Sequence, residues 1–199
     1  MSFISRITEY LQTAIKHILE SQVRVNELRN TMKKAITLLV LLCSLFFVQA
    51  TDSISVYIFL SESCPICKSQ TLTLRQLYAE YSPKGISFIG LFPNEEYSTD
   101  ESIQKFGKKY KLDFELKNDE GQKMVKKFSA TTNPQIFVVR NSTQKILYKG
   151  KIDNGFENIG KKRQVITEHY LRDALENILR QKEIVVKETQ PVGCFIIKN

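Results

Sequence analysis

Ile54-Ser-Val-Tyr-Ile-Phe-Leu60-Ser-Glu-Ser-Cys64-Pro-Ile-Cys67-Lys-Ser69 is the stretch from which the chain can be organised. Its first seven residues read as a buried strand, and they run into two thiols three positions apart with a proline between them. From Cys67 onward Leu72, Leu74, Leu77, Tyr78 and Tyr81 recur at three- and four-residue steps, which predicts a helix. Pro83-Lys-Gly85 should end it, and Ile86-Ser-Phe-Ile-Gly-Leu-Phe92 reads as a second buried strand. Strand, helix and strand form a βαβ unit, whose right-handed crossover makes the two strands parallel.

That reading puts the cysteines where a strand meets the first turn of a helix. A thiolate there lies near the positive end of the helix dipole and near backbone N–H groups that have no partner in the helix. Both effects favour the anion, and it is the anion that attacks disulfides. Pro65 has no N–H to lose and a φ suited to the helix start. Cys64, the outer residue, should be the attacking thiol, and Cys67, one turn inward, should resolve the mixed disulfide.

Farther along, Pro93 to Asp100 is a polar loop, and Ser98 or Thr99 is expected to cap a helix reaching about Tyr110 with Ile103 and Phe106 inward. Phe114-Glu-Leu116 is a short strand candidate, and Asp119 should open a helix through Met124, Val125 and Phe128. Thr131 to Arg140 reads as a strand entered through Pro134, with Lys145 to Gly150 as its hairpin partner. Thr167 is expected to cap a last helix carrying Tyr170, Leu171, Leu175, Ile178 and Leu179, before a tail from Glu183 to Asn199. A parallel start followed by an antiparallel hairpin implies an α/β fold, a mixed sheet flanked by helices on both faces.

Residues 54–180 resemble the thioredoxin-like superfamily, with a likeness to the secreted redoxins of the TlpA/ResA and AhpC/TSA type. The resemblance rests on Cys64-Pro-Ile-Cys67 opening the first helix and on Thr132-Asn-Pro134 leading into a strand about seventy residues later. It implies a helix-bearing insertion after the second strand, matched by residues 93–111, and a cis-proline at Pro134 facing the cysteines. It also implies that the backbone of Asn133 pairs with the peptide carrying the substrate disulfide, as an added strand. The expected activity is thiol-disulfide oxidoreduction in the reducing direction, without a cofactor. Its partners would be a protein or small-molecule disulfide and a membrane electron donor. The chain departs from the family in two ways. No acidic residue can be assigned beside the buried cysteine, with Glu62 expected to be solvated, and Glu62-Ser63 stands where an aromatic is more familiar.

Other readings of the pair remain. A static disulfide is tolerated in an exported protein, but so small a loop stabilises little. Zinc would need four ligands, and beyond the pair only Cys194 and His169 are candidates, His169 being expected on an exposed helix face. Haem attachment is excluded because Lys68 stands where histidine is required. Copper carriage of the SCO kind uses a different cysteine spacing and a loop histidine. Peroxide reduction is the nearest competitor, since Ser61-Glu-Ser-Cys64 resembles the Thr/Ser-x-x-Cys of peroxiredoxins, though Tyr57 replaces that family's proline. Cys194 sits in Pro191-Val-Gly-Cys-Phe-Ile196, too apolar for a random tail. It reads either as a small buried hydrophobe or, if the tail folds back towards Cys64, as a third redox thiol or a metal ligand.

Upstream, Met32-Lys-Lys34 followed by an apolar run from Ala35 to Phe47 and small or compact residues at Val48 and Ala50 has the layout of a secretory signal peptide. Residues 32–50 are therefore expected to be removed, placing residues 51–182 as the folded domain and 183–199 as its tail outside the cytoplasm. Residues 1–31 are read as a non-native extension, the alternative being a short cytoplasmic segment before an uncleaved anchor. Cys43 is an apolar residue of the signal core. Of the chain's formal charge of +8, +5 lies on residues 51–199, from 23 basic and 18 acidic side chains. These are scattered rather than striped with aromatics, which argues against nucleic-acid binding.

Overall fold

The computed structural model describes residues 26–38, 52–94 and 96–198, together with Lys16, Gln22 and Arg24. Two units are formed, Met1–Thr51 and Asp52–Asn199. In the first, residues 26–38 are helical. Most of the expected extension, and the signal segment from residue 39 on with Cys43 and Ala50, lie outside the described residues.

In the second unit, β1 (Ile54–Phe59) runs into α1 (Pro65–Tyr81), and a 3-10 turn over Ser82–Lys84 leads to β2 (Ile86–Phe92). The turn closes on Gly85 at φ 84°, the left-handed backbone that glycine takes without strain. β1 and β2 pair in parallel from Ile54↔Ile86 to Phe59↔Leu91, as the βαβ reading requires. α2 (Asp100–Tyr110) follows, capped by Thr99, whose side chain accepts from the Ser102 N–H. β3 (Glu115–Asn118) then joins β2 in parallel. The expected helix from Asp119 is real but shorter. A 3-10 turn over Glu120–Gln122 precedes α3 (Lys123–Phe128), and the Asp119 carboxylate accepts from the Met124 and Val125 N–H groups at 2.8 Å each.

The single strand expected from Thr131 to Arg140 is two. β4 (Thr132–Asn133) lies outside the main sheet, and β5 (Gln135–Arg140) starts after a cis Asn133–Pro134 bond. β5 runs antiparallel to β1 and to β6 (Lys145–Gly150), giving the sheet order β3-β2-β1-β5-β6. A small hairpin of β7 (Phe156–Asn158) and β8 (Lys161–Lys162) precedes α4 (Tyr170–Leu179). Thr167 does not cap α4, contrary to expectation. His169 holds the cap position, while Thr167 donates its N–H to Asn154 Oδ1 at 3.0 Å and accepts from Asn154 Nδ2 at 2.7 Å. A loop partner thirteen residues upstream has taken the hydroxyl that the local pattern assigned to the helix.

Alternation along the strands sorts two cores. Val56, Ile58, Ile136 and Val138 face a layer built by α1, α2 and α4, where Leu74, Leu77, Ile103 and Leu171 are buried. Phe59, Leu91, Phe137 and Val139 face the other way, against Val125 and Phe128 of α3. The sheet is thus covered on both sides, and the fold is thioredoxin-like.

The tail is part of this body. The Lys149 N–H donates to Lys187 O and the Thr189 N–H donates to Lys149 O, each at 3.0 Å, so the tail runs along β6. Thr189 Oγ1 bonds the Tyr148 hydroxyl at 2.9 Å and accepts from the Lys151 N–H at 2.8 Å. Gly150 makes this approach possible, since a Cβ there would sit 2.2 Å from Thr189 Oγ1. The chain then crosses to β9 (Cys194–Phe195), which pairs antiparallel with β4.

Candidate active site

Cys64 is the N-cap of α1, in extended backbone at φ −73° and ψ 117°, and Pro65 takes the first helical position. Proline suits this place because its missing N–H would have had no helical partner. The first turn of α1 carries no acidic side chain, so the positive end of its dipole is left for the cysteine. Cys67, one turn on, is fully buried. Facing them, the Asn133 carbonyl lies 3.2 Å from Cys64 Sγ, next to Pro134. The Asn133 side chain is also fully buried, and both its polar atoms lack a partner among the described residues. The interactions it holds run through its backbone.

Two supports hold this arrangement. Gln135 Oε1 accepts from the Thr131 N–H at 2.9 Å and the Thr132 N–H at 3.3 Å, setting the path into β4. Glu62, expected to be solvated, is instead half-buried and accepts from Ser98 Oγ at 2.6 Å and Ser102 Oγ at 2.7 Å. Its carboxylate sits at the start of α2, where the helix dipole favours a negative charge. It thereby ties the loop before the cysteines to the insertion. These partners are 36 and 40 residues away in sequence, so local pattern could not find them.

Cys194, the third candidate, is brought to the pair. Its Sγ lies 2.9 Å from Cys64 Sγ, and in register it stands opposite Asn133. The tail covers Cys64, which is only 1% exposed. Asp153 was not singled out by sequence. It is buried, accepts from Gln70 Nε2 at 2.9 Å, and lines a small cleft with Ile66, Pro134 and Val192. His169 lies on the surface at the α4 cap. Among the described residues no group of three or more His, Cys, Asp or Glu side chains is arranged to hold a metal ion.

The three sulfurs divide one negative charge unequally. Cys64 is pulled down to about 5, chiefly because the Cys67 S–H donates to it; burial opposes this and the Cys194 S–H assists. Burial pushes Cys67 well above the ordinary thiol range, and the Cys64 anion pushes it further. Cys194 is pushed up to about 11, by burial first and then by Cys64. At neutral pH the cluster is therefore one thiolate held by two thiols. The reduced protein should lose its nucleophile only below about pH 5, as Cys64 takes up a proton. Ultraviolet thiolate titration of the parent minus its Cys64→Ser variant is expected to show a step near that pH; a step near the free-thiol value of about 8.5 would refute it.

The chain matches the AhpC/TSA family over residues 47–149. Over 76 residues it is 29% identical to the thiol-disulfide oxidoreductase ResA of Bacillus thuringiensis subsp. konkukian, covering 38% of this chain and 42% of that protein. Over 78 residues it is 31% identical to the chloroplastic peroxiredoxin Q of Sedum lineare, covering 39% of this chain and 40% of that one. It thus spans about two fifths of each relative's length. A crystal structure of an uncharacterized conserved protein from Geobacillus kaustophilus superposes with a TM-score of 0.67 at 25% identity, covering 74% of this chain and 78% of the other.

Proposed function

Because the chain belongs to the AhpC/TSA family, we propose that it is an exported thiol-disulfide oxidoreductase that works as a reductase. The observation that carries this reading is the placement of Cys64, capping α1 one turn before the buried Cys67, with the Asn133 carbonyl at 3.2 Å and Cys194 Sγ at 2.9 Å. Cys64 attacks one sulfur of a substrate disulfide. A bond forms between them, the substrate S–S bond breaks, and the other substrate sulfur leaves as a thiolate. Cys67 then gives its proton to a departing sulfur and attacks Cys64 Sγ. The Cys64–Cys67 disulfide forms and the substrate is released reduced by two electrons, one of its sulfurs protonated by Cys67 and the other by solvent. A dithiol donor at the membrane returns those electrons. The substrate peptide pairs with the backbone of Asn133 beside Pro134, as an added strand.

Export rests on the layout of Met32 to Ala50. Among the described residues no helix is long and apolar enough to cross a membrane. A second reading, peroxide reduction, is favoured by the peroxiredoxin Q relative and by Ser61, three positions before Cys64. Its hydroxyl, however, bonds Ser63 Oγ at 2.9 Å.

One preparation tests these points. The reduced full chain is offered insulin or hydrogen peroxide, and the midpoint potential of the Cys64–Cys67 couple is measured. Reduction of insulin disulfides with loss of both thiols is expected, with a potential near thioredoxin's, about −270 mV. Thiol loss to peroxide alone supports the second reading, and a potential near that of a strong oxidant, about −120 mV, overturns the reducing direction. Protein recovered from the cell envelope is expected to begin at Thr51; a retained Met1 overturns signal cleavage.

A further inference from the structure

The C-terminal tail lies where the substrate strand is expected. β9 pairs antiparallel with β4, Thr132 opposite Phe195 and Asn133 opposite Cys194, on the edge beside Pro134. The pairing is built rather than incidental. The Ile196 N–H donates to Thr131 O at 2.9 Å, and Gln122 Nε2 donates to Ile197 O at 2.6 Å. Ile196 is buried in the core under α3, while Val192 packs against the opposite core and lines the cleft beside Pro134. Gly193 allows the contact, for a Cβ there would fall 2.0 Å from the Asn133 carbonyl oxygen. Two apolar anchors on opposite sides of the site thus hold a cysteine against the nucleophile.

We propose that Cys194 is a third redox residue, carried on a tethered substrate mimic, which exchanges disulfides with Cys64. This rests on the oxidoreductase reading and deepens it. In the oxidised protein the Cys194 sulfur, giving up its proton, attacks Cys64 Sγ. The Cys64–Cys194 bond forms, the Cys64–Cys67 bond breaks, and Cys67 leaves and takes up the proton. No electrons are gained or lost, so the two-electron oxidised chain is a mixture of two internal disulfides. With Cys194 reduced, β9 can leave β4 and yield the edge to an incoming peptide; with Cys194 linked to Cys64 it cannot. The occupant also describes its competitor, an extended segment with a cysteine opposite Asn133 and a residue without a side chain just before it.

The test uses the full chain and glutathione disulfide. Cys64 attacks that disulfide and releases one glutathione; a second protein thiol then attacks Cys64 Sγ and releases the other. After acid quenching, alkylation and digestion, mass spectrometry maps the bonds. A Cys64–Cys194 peptide is expected beside Cys64–Cys67 in the parent. In Cys67→Ser, Cys64–Cys194 is expected as the main internal disulfide. Recovery of only Cys64–Cys67 in the parent, with Cys194 alkylated and Cys67→Ser ending as a glutathione adduct, overturns the proposal while leaving the oxidoreductase reading intact. Absence of both disulfides overturns the two together. In Gly193→Ala, which blocks the close approach of β9, the yield of Cys64–Cys194 should fall several-fold and alkylation of reduced Cys64 should speed up by about tenfold or more. Unchanged yield and rate in a variant with native circular dichroism would likewise overturn it.

Discussion

Cys64→Ser is expected to lower disulfide reduction by at least about a thousandfold, the scale on which removing a covalent nucleophile acts. A serine hydroxyl at the cap of α1 remains protonated at pH 7, whereas the Cys64 thiol, held down to about 5, is already an anion. Cys67 cannot stand in. It has no exposed surface, and burial pushes its proton affinity the wrong way. Cys67→Ser should behave differently, because the first attack survives while resolution by Cys67 fails. Turnover falls, yet a Cys64-linked mixed disulfide or its Cys194 exchange product accumulates on a non-reducing gel. If Cys64→Ser kept more than about a tenth of the parent rate, Cys64 would not be the attacking group.

Phe137→Ala is expected to cost about 3–5 kcal/mol of unfolding free energy, the range for a buried Phe truncated in a core that cannot collapse around the gap. Phe137 lies at the centre of β5 with no exposed surface. Its ring stacks on Phe128 at 5.0 Å and meets Phe59 edge-on at 5.7 Å. Strands on both sides of β5 keep the backbone from moving into the void. Urea unfolding should show the midpoint falling with an unchanged slope. A loss below about 1 kcal/mol would mean that the face under α3 is loosely packed.

What could be read from sequence follows from how far each interaction reaches. β1, α1 and β2 were legible because apolar spacing and the Pro83–Gly85 break are local, and β2 was placed at its observed bounds. That Cys64 and Pro134 lie together could be anticipated, because each is marked by residue type at a fixed offset. Thr167, Glu62 and Asp153 were misread or passed over for one reason, that each is governed by a partner distant in the chain. The split at Pro134 could be anticipated as a strand entry, but the departure of β4 from the sheet depends on β9, 62 residues away. For Cys194 the sequence offered two readings, and only the fold-back of Pro191 to Ile196 distinguishes a sulfur beside Cys64 from one that merely fills space.

The run of Lys187 to Thr189 beside β6 also bears on how the molecule behaves in a crowd. An outermost strand presents unpaired amides and carbonyls on which another copy can nucleate, and chains with such margins tend to aggregate. Here the molecule's own last segment occupies that margin at Lys149, fixed by Thr189, leaving the four-residue β3 as the short opposite border. The tail from Glu183 thus covers both this margin and the edge beside Pro134, and clipping it is expected to raise light scattering as the protein is concentrated.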